Sequence, residues 1–86
     1  MENQQHAPGP WEADGQRIYG ANGSLVATVA YCRDHETEVA NTSLIAAAPD
    51  LLEALLCLLD YETGTEKAIA EAKASSAIAK ATGSEA

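Results

Sequence analysis

Cys32, Asp34 and His35 are the residues whose types and spacing come nearest to a reactive site in this chain. Cys32-x-x-His35 would supply half of a zinc site, with His6 and Cys57 as the remaining ligands, but structural zinc sites usually pair two such half-sites. The same residues offer a thiol, a base and a carboxylate, yet a thiolate nucleophile needs a base that a third group orients. Closeness in the sequence does not supply that geometry. We therefore expect no metal, no catalytic residue and no enzymatic activity.

Aromatic and guanidinium groups are concentrated in the first half of the chain, which has one Trp, three Tyr and no Phe in total. Rings and guanidinium groups on one small sheet would bind a planar or phosphorylated ligand by stacking and by bidentate hydrogen bonds. The alternative is that the rings cover the helices and the arginines face acidic neighbours. The glycines match no phosphate-binding loop or dinucleotide fingerprint, so no cofactor is predicted. The candidate ligand-binding residues are Trp11, Arg17, Tyr19, Tyr31, Arg33 and His35.

The charge of the chain is strongly negative. Thirteen acidic residues against five Lys and Arg give a net charge of −8, and no Lys or Arg occurs between Asp34 and Glu62. Such a protein lacks the positive field that non-specific nucleic-acid binding requires. The acidity either maintains solubility or forms a surface that mimics phosphate charge and docks on a basic protein. The acidic helical face would carry Glu36, Glu38 and Glu53.

The elements that position these residues begin with short strands. Asp14-Gly15 and Asn22-Gly23 are dipeptides typical of two-residue hairpin turns. The run from Leu25 to Tyr31 is rich in β-branched and aromatic types. We therefore predict an antiparallel meander of two or three strands within residues 11–31. We expect residues 1–10 to form a flexible arm, because Pro8 and Pro10 forbid regular helix.

Helical signals follow the strands, so the predicted fold class is α+β, with one small domain over residues 11–82. The helices are expected at about 35–47, 49–61 and 65–82, followed by a disordered tail at 83–86. Asp34 is a suitable N-cap for the first helix, and Pro49 suits the start of the second. A single helix kinked at Pro49 is the alternative. The third segment either stays solvated or packs closely through its alanines.

The second helix is apolar around most of its circumference. Such a helix requires burial on nearly every side, and a chain of 86 residues offers few elements to cover it. The simplest partner is a second copy, so we predict a homodimer or higher oligomer. The predicted interface residues are Leu44, Leu51, Leu52, Leu55, Leu56, Leu58 and Leu59.

The expected compartment is the cytoplasm. The first ten residues, MENQQHAPGP, have neither the basic start nor the apolar stretch of a signal peptide. The apolar runs are shorter than the ~20 residues that span a bilayer, so no membrane association is predicted. The two cysteines are expected to be reduced thiols.

Two motifs resemble a group of small phage and prophage proteins. The first is the run His6-Ala7-Pro8-Gly9-Pro10-Trp11, and the second is the run from Asn41 to Leu55 that contains LIAAAPDLLEAL. In that group an H-x-P-G-P-W start and a helix pair of the second type recur together. The resemblance covers roughly residues 6–60. Residues 78–83 resemble the usual C-terminal end of such proteins.

The resemblance implies a phage setting inside a host cell. Phage proteins of this size often inhibit host defence, so the resemblance implies a non-enzymatic accessory protein that sequesters a nucleotide-like immune signal; the alternative partner is a host defence protein. The first would be sequestered at the aromatic and arginine residues, and the second would meet the acidic face. A structural or interaction protein without a ligand is the remaining alternative.

Overall fold

A computed structural model describes residues 6–31 and 33–83. Three short strands precede three helices, which confirms the α+β class. The strands are β1 (Glu12–Asp14), β2 (Arg17–Tyr19) and β3 (Leu25–Thr28), and the helices are α1 (His35–Ala46), α2 (Ala48–Leu59) and α3 (Gly64–Thr82). The predictions for residues 1–5, Cys32 and 84–86 lie outside the described residues.

The sheet is an antiparallel meander in the order β1-β2-β3. Gly15, at φ 65°, turns β1 into β2 in a two-residue connection, as the sequence predicts. The second connection is longer than predicted, because Tyr19 pairs with Leu25 and five residues lie between them. The Asn22 side chain holds this loop by accepting a hydrogen bond from the Ser24 amide at 3.1 Å.

Local capping sets the ends of the helices. The Asp34 carboxylate accepts a hydrogen bond from the Glu36 amide at 3.1 Å, so the predicted N-cap of α1 is confirmed. Thr63 caps α3 in the same way, and Gly83 ends α3 in the left-handed region at φ 73°. α1 and α2 are separate helices that meet at a 47° bend, with Pro49 in the first turn of α2.

The interior contains few large side chains. Ile18 is the one large side chain that is fully buried among the described residues, and it packs with Val29 and Ala46 between the sheet and α1. α2 and α3 pack through Ala54, Ala70 and Ala77, which are at most 3% exposed. Small side chains let two helix axes approach closely, so the alternative in which α3 packs through its alanines is the one that the structure shows.

The described helices differ from a membrane-spanning helix in length or in apolar composition. Within residues 6–31 and 33–83, no one helix is long and apolar enough to cross a bilayer. α1 and α2 reach that length and composition only as a bent pair.

Candidate functional site

The six candidate ligand-binding residues fall into three places. Arg17 and Tyr19 alternate with buried Ile18 on β2, so both side chains lie on the outer face of the sheet. Trp11 lies on the opposite, core side, where it packs against Ile18 and Val29. The structure therefore brings Arg17 and Tyr19 together and separates both from Trp11.

The remaining three candidates lie along the segment that joins β3 to α1. Tyr31 is 83% exposed, and Arg33 and His35 are exposed as well. The compact aromatic and arginine cluster that the sequence predicts is thus spread over the sheet, the core and this connection. Alternation along β2 puts Arg17 and Tyr19 on one face, but it carries no information about Trp11.

Carboxylates surround the pair on the outer face of the sheet. Asp14 lies directly across from Arg17, and Glu12 lies across from Tyr19. A groove beside Tyr19 is lined by Pro10, Glu12, Asp14 and Gly20, among others. Acidic neighbours at cross-strand distance oppose the binding of a phosphate group at this place.

Trp11 belongs to a structural junction between the two sequence motifs. Its indole N–H donates to the Ala7 carbonyl at 3.0 Å, and the His6 ring meets it edge-on at a centroid distance of 6.3 Å. Gly9 packs directly against Pro49, since a Cβ added at Gly9 would lie 2.8 Å from the Pro49 Cβ. The first motif is therefore a strap that holds the beginning of α2.

Lys80 completes this junction from α3, in a role that no sequence pattern indicates. Its Nζ donates to the Trp11 carbonyl at 3.0 Å and forms an ion pair with Asp50 at 2.7 Å. Nothing in the alanine-rich C-terminal segment distinguishes Lys80 from Lys67 or Lys73. One ammonium group thus ties the strap, α2 and α3 together.

A second ion pair joins α2 to α3. Lys73 Nζ lies 2.8 Å from a Glu53 carboxylate oxygen and 3.9 Å from the Cys57 sulfur. The hydrogen bond that Lys73 donates to the Glu53 carboxylate and the negative charge of Glu53, with a smaller contribution from Cys57, raise the pKa of Lys73 above the usual 10.5. Lys73 and Glu53 are both substantially exposed, so this pair adds little to stability.

We expect Glu53→Gln to lower the pKa of Lys73 towards its usual value. A raised pKa in the folded state means that the pair's small stabilisation is present at neutral pH and is lost as pH rises through that folded pKa. An NMR titration of the Lys73 side chain measures the shift directly. Glu71→Gln, on the same helix as Lys73, is the control and should leave that pKa almost unchanged. An equal effect of the two substitutions would contradict the assignment to Glu53.

An open apolar surface lies on α2. Four side chains spaced i, i+3, i+4 and i+7 form a leucine face, which consists of Leu52, Leu55, Leu56 and Leu59. Most of this face points away from α3, because Ala54 is the residue of α2 that is buried against α3, and Leu56 lies at the edge of the face beside α3. Leu55 is 59% exposed and Leu59 is 85% exposed.

The other predicted interface leucines are placed differently. Leu51 and Leu58 are half-buried within the chain itself, and Leu44 is an exposed residue of α1. A groove between α2 and α3 continues the leucine face at its C-terminal end, and Tyr61 and Ile69 contribute to its lining. Both of these side chains are substantially exposed.

Metal-binding side chains do not converge in the part of the chain that the structure describes. No three His, Cys, Asp or Glu residues there could hold a metal ion together. The half-site at Cys32 is not among the described residues. Cys57 is half-buried beside Lys73.

The strand-and-helix domain with an open leucine face belongs to a phage protein family. The family model described as Salmonella phage P22 protein Y8K6 matches residues 1–85, so the chain is a member of that family. This bears out the phage setting that the two motifs imply. No curated protein and no solved structure matches the chain significantly.

Proposed function

We propose that this chain is a non-enzymatic phage accessory protein that counters host antiviral defence by binding, in the cytoplasm of the host cell. Membership of a phage protein family supports the setting. Of the two target classes, a host protein with a basic surface fits the charges of this molecule better than a nucleotide signal.

The choice of a host protein as the target rests on the acidic neighbours that Lys73, Lys80 and Arg17 already have within the chain. Lys73 and Lys80 are already paired with carboxylates of α2, and Arg17 lies across from Asp14. The field around the molecule is therefore negative, which favours a basic partner and repels phosphate. A negative surface of this kind accelerates association with a positive one and opposes binding to nucleic acid.

The acidic face is smaller than the sequence suggests. Glu38 is only 8% exposed, and Glu53 is held by Lys73. Glu36 stays exposed at the start of α1, and Glu62 is exposed at the other end of the run that lacks Lys and Arg. We therefore place the contact with a host protein on residues such as Glu36 and Glu62.

Sequestration of a nucleotide-like signal is the second candidate, and the neighbouring Arg17 and Tyr19 side chains favour it. A guanidinium group and a ring on one open face could contact a phosphate and a base. Glu12 and Asp14 on the adjacent strand weaken this candidate, because they place negative charge beside the same face.

The test of the function is protection of an infecting phage. Cells that carry a defence system and express the chain should allow a defence-sensitive phage to form plaques at least tenfold more often than cells without it. Glu36→Lys combined with Glu62→Lys should abolish this protection, whereas Glu71→Lys, an equal change on α3, should keep most of it. Failure to protect against every defence system in a panel would refute the proposal.

A binding experiment separates the two target classes. The purified protein is mixed with cyclic and linear nucleotides, separated from free ligand and denatured by heat, and the released material is analysed. Intact nucleotide in the supernatant indicates sequestration, and altered nucleotide indicates catalysis. If protection occurs and no nucleotide is released, a host protein is the target, and its binding should weaken steeply with salt.

A further inference from the structure

We infer that the leucine face of α2 is the docking surface for a second copy of this chain. The inference concerns how the protein assembles, so it goes beyond the proposed function and does not depend on which host target is correct. Leu52, Leu55, Leu56 and Leu59 would meet their own counterparts across a two-fold axis.

The first argument is that the chain lacks a sufficient core of its own. Among the described residues, the buried apolar side chains are Ile18, Val29 and five alanines. Several much larger side chains stay exposed instead, and four of them are the leucines of one helix face. Small domains with a weak core gain stability by oligomerisation, and a second copy is present wherever the protein is made.

The second argument is the spacing of the leucines. Residues at i, i+3, i+4 and i+7 form a straight apolar stripe, which is the pattern that pairs one helix with another. Ala48 continues the stripe towards the bend, and Leu44 follows four residues earlier on α1. Two α2 helices can therefore interdigitate over their whole length, about 18 Å.

The third argument is the area. The exposed parts of the four leucines, with Tyr61 and Ile69 beside them, are of the order of several hundred Å², the size of the largest apolar patches on monomers. Two such patches face to face bury on the order of 1,000 Å², the size at which specific interfaces begin. One α2 helix pair with its flanking groove is thus enough for a small dimer.

The fourth argument is the charge beside the face. Asp50 and Glu53 are the acidic residues in the first half of α2, and each already has a lysine of α3 as its partner. Two copies can approach at this end of the face without placing unpaired carboxylates against each other, whereas Asp60 and Glu66 line the groove at the other end. A basic helix from another protein would gain little binding energy at this edge, because Asp50 and Glu53 already form ion pairs with lysines of α3.

Mass measurement by light scattering, combined with a matched pair of substitutions, tests the inference. At tens of micromolar the wild-type chain should show twice its mass of 9.0 kDa. Leu55→Glu would place a charge in the interface and should give a monomer at the same concentration. Ile78→Glu is the control, because Ile78 lies on α3 and is 55% exposed against 59% for Leu55, and this variant should stay dimeric.

A gentler variant keeps the test decisive if Leu55→Glu fails to fold. Leu59 is 85% exposed, so Leu59→Gln should leave the chain folded by circular dichroism and raise the dissociation constant of the dimer at least tenfold. A wild-type monomer at tens of micromolar overturns the inference. So does an assembly that withstands Leu59→Gln, or one that Ile78→Glu weakens equally.

Discussion

Replacing Ile18 by alanine should lower the free energy of unfolding by about 2–4 kcal/mol, the largest effect expected of any single substitution in this chain. Ile18 is 0% exposed and is the central residue of the small core between the sheet and α1. Truncation removes buried aliphatic atoms and leaves a cavity that short strands cannot close. A domain of this size has a stability of roughly 4–10 kcal/mol, so much of the total would be lost.

Urea denaturation followed by the fluorescence of Trp11 measures this loss, because Trp11 packs against the same core. The control is the same chemical change on the surface, Ile78→Ala, which should cost less than about 1 kcal/mol. Both variants must be compared with wild type at one protein concentration, because dimerisation would add to apparent stability. Equal unfolding midpoints for the two variants would show that Ile18 is not the centre of the core.

Replacing Gly9 by alanine should destabilise the protein by about 1–3 kcal/mol, because the new methyl group overlaps Pro49. The added Cβ would lie 2.8 Å from the Pro49 Cβ and 3.1 Å from its Cγ. A proline ring at the start of α2 cannot move aside as a flexible side chain does, so either the strap or the helix must shift. That cost exceeds the gain of at most about 1 kcal/mol from restricting the unfolded chain.

Gly64→Ala is the matched control for Gly9→Ala. An added Cβ at Gly64 meets no atom within 4 Å, and Gly64 is the first residue of α3. Alanine favours helix over glycine, so this substitution should raise stability by up to about 1 kcal/mol. The two glycine variants should therefore move the unfolding midpoint in opposite directions. A midpoint that rises in both would mean that the strap does not press on α2.

The features that the sequence predicted correctly are those with local causes. Gly15 turns β1 into β2, Asp34 caps α1, and Pro49 begins α2. In each case the deciding interaction lies within a few residues of chain, where backbone sterics and hydrogen bonding act almost independently of the rest of the fold. The order of strands and helices follows from the same kind of signal.

The composition of the candidate ligand site was not predictable in the same way. Alternation along a strand correctly puts Arg17 and Tyr19 on one face. It does not say whether Trp11 covers that face or the core, since this depends on where the strap crosses the sheet. Hydrogen bonds of Trp11 with the Ala7 carbonyl and with the Lys80 ammonium group determine where the strap crosses. Lys80 is 69 positions away from Trp11 in the chain.

The sequence by itself determined that α2 is too apolar for solvent, and the tertiary structure decided which side of it remains open. Leucines lie around most of the circumference of the helix, so either side could have been buried. Packing Ala54 against Ala70 and Ala77 brings α2 and α3 close together and leaves the leucine face on the far side. Close approach of two helices requires small residues on both, and that match between distant segments is not encoded in local propensity.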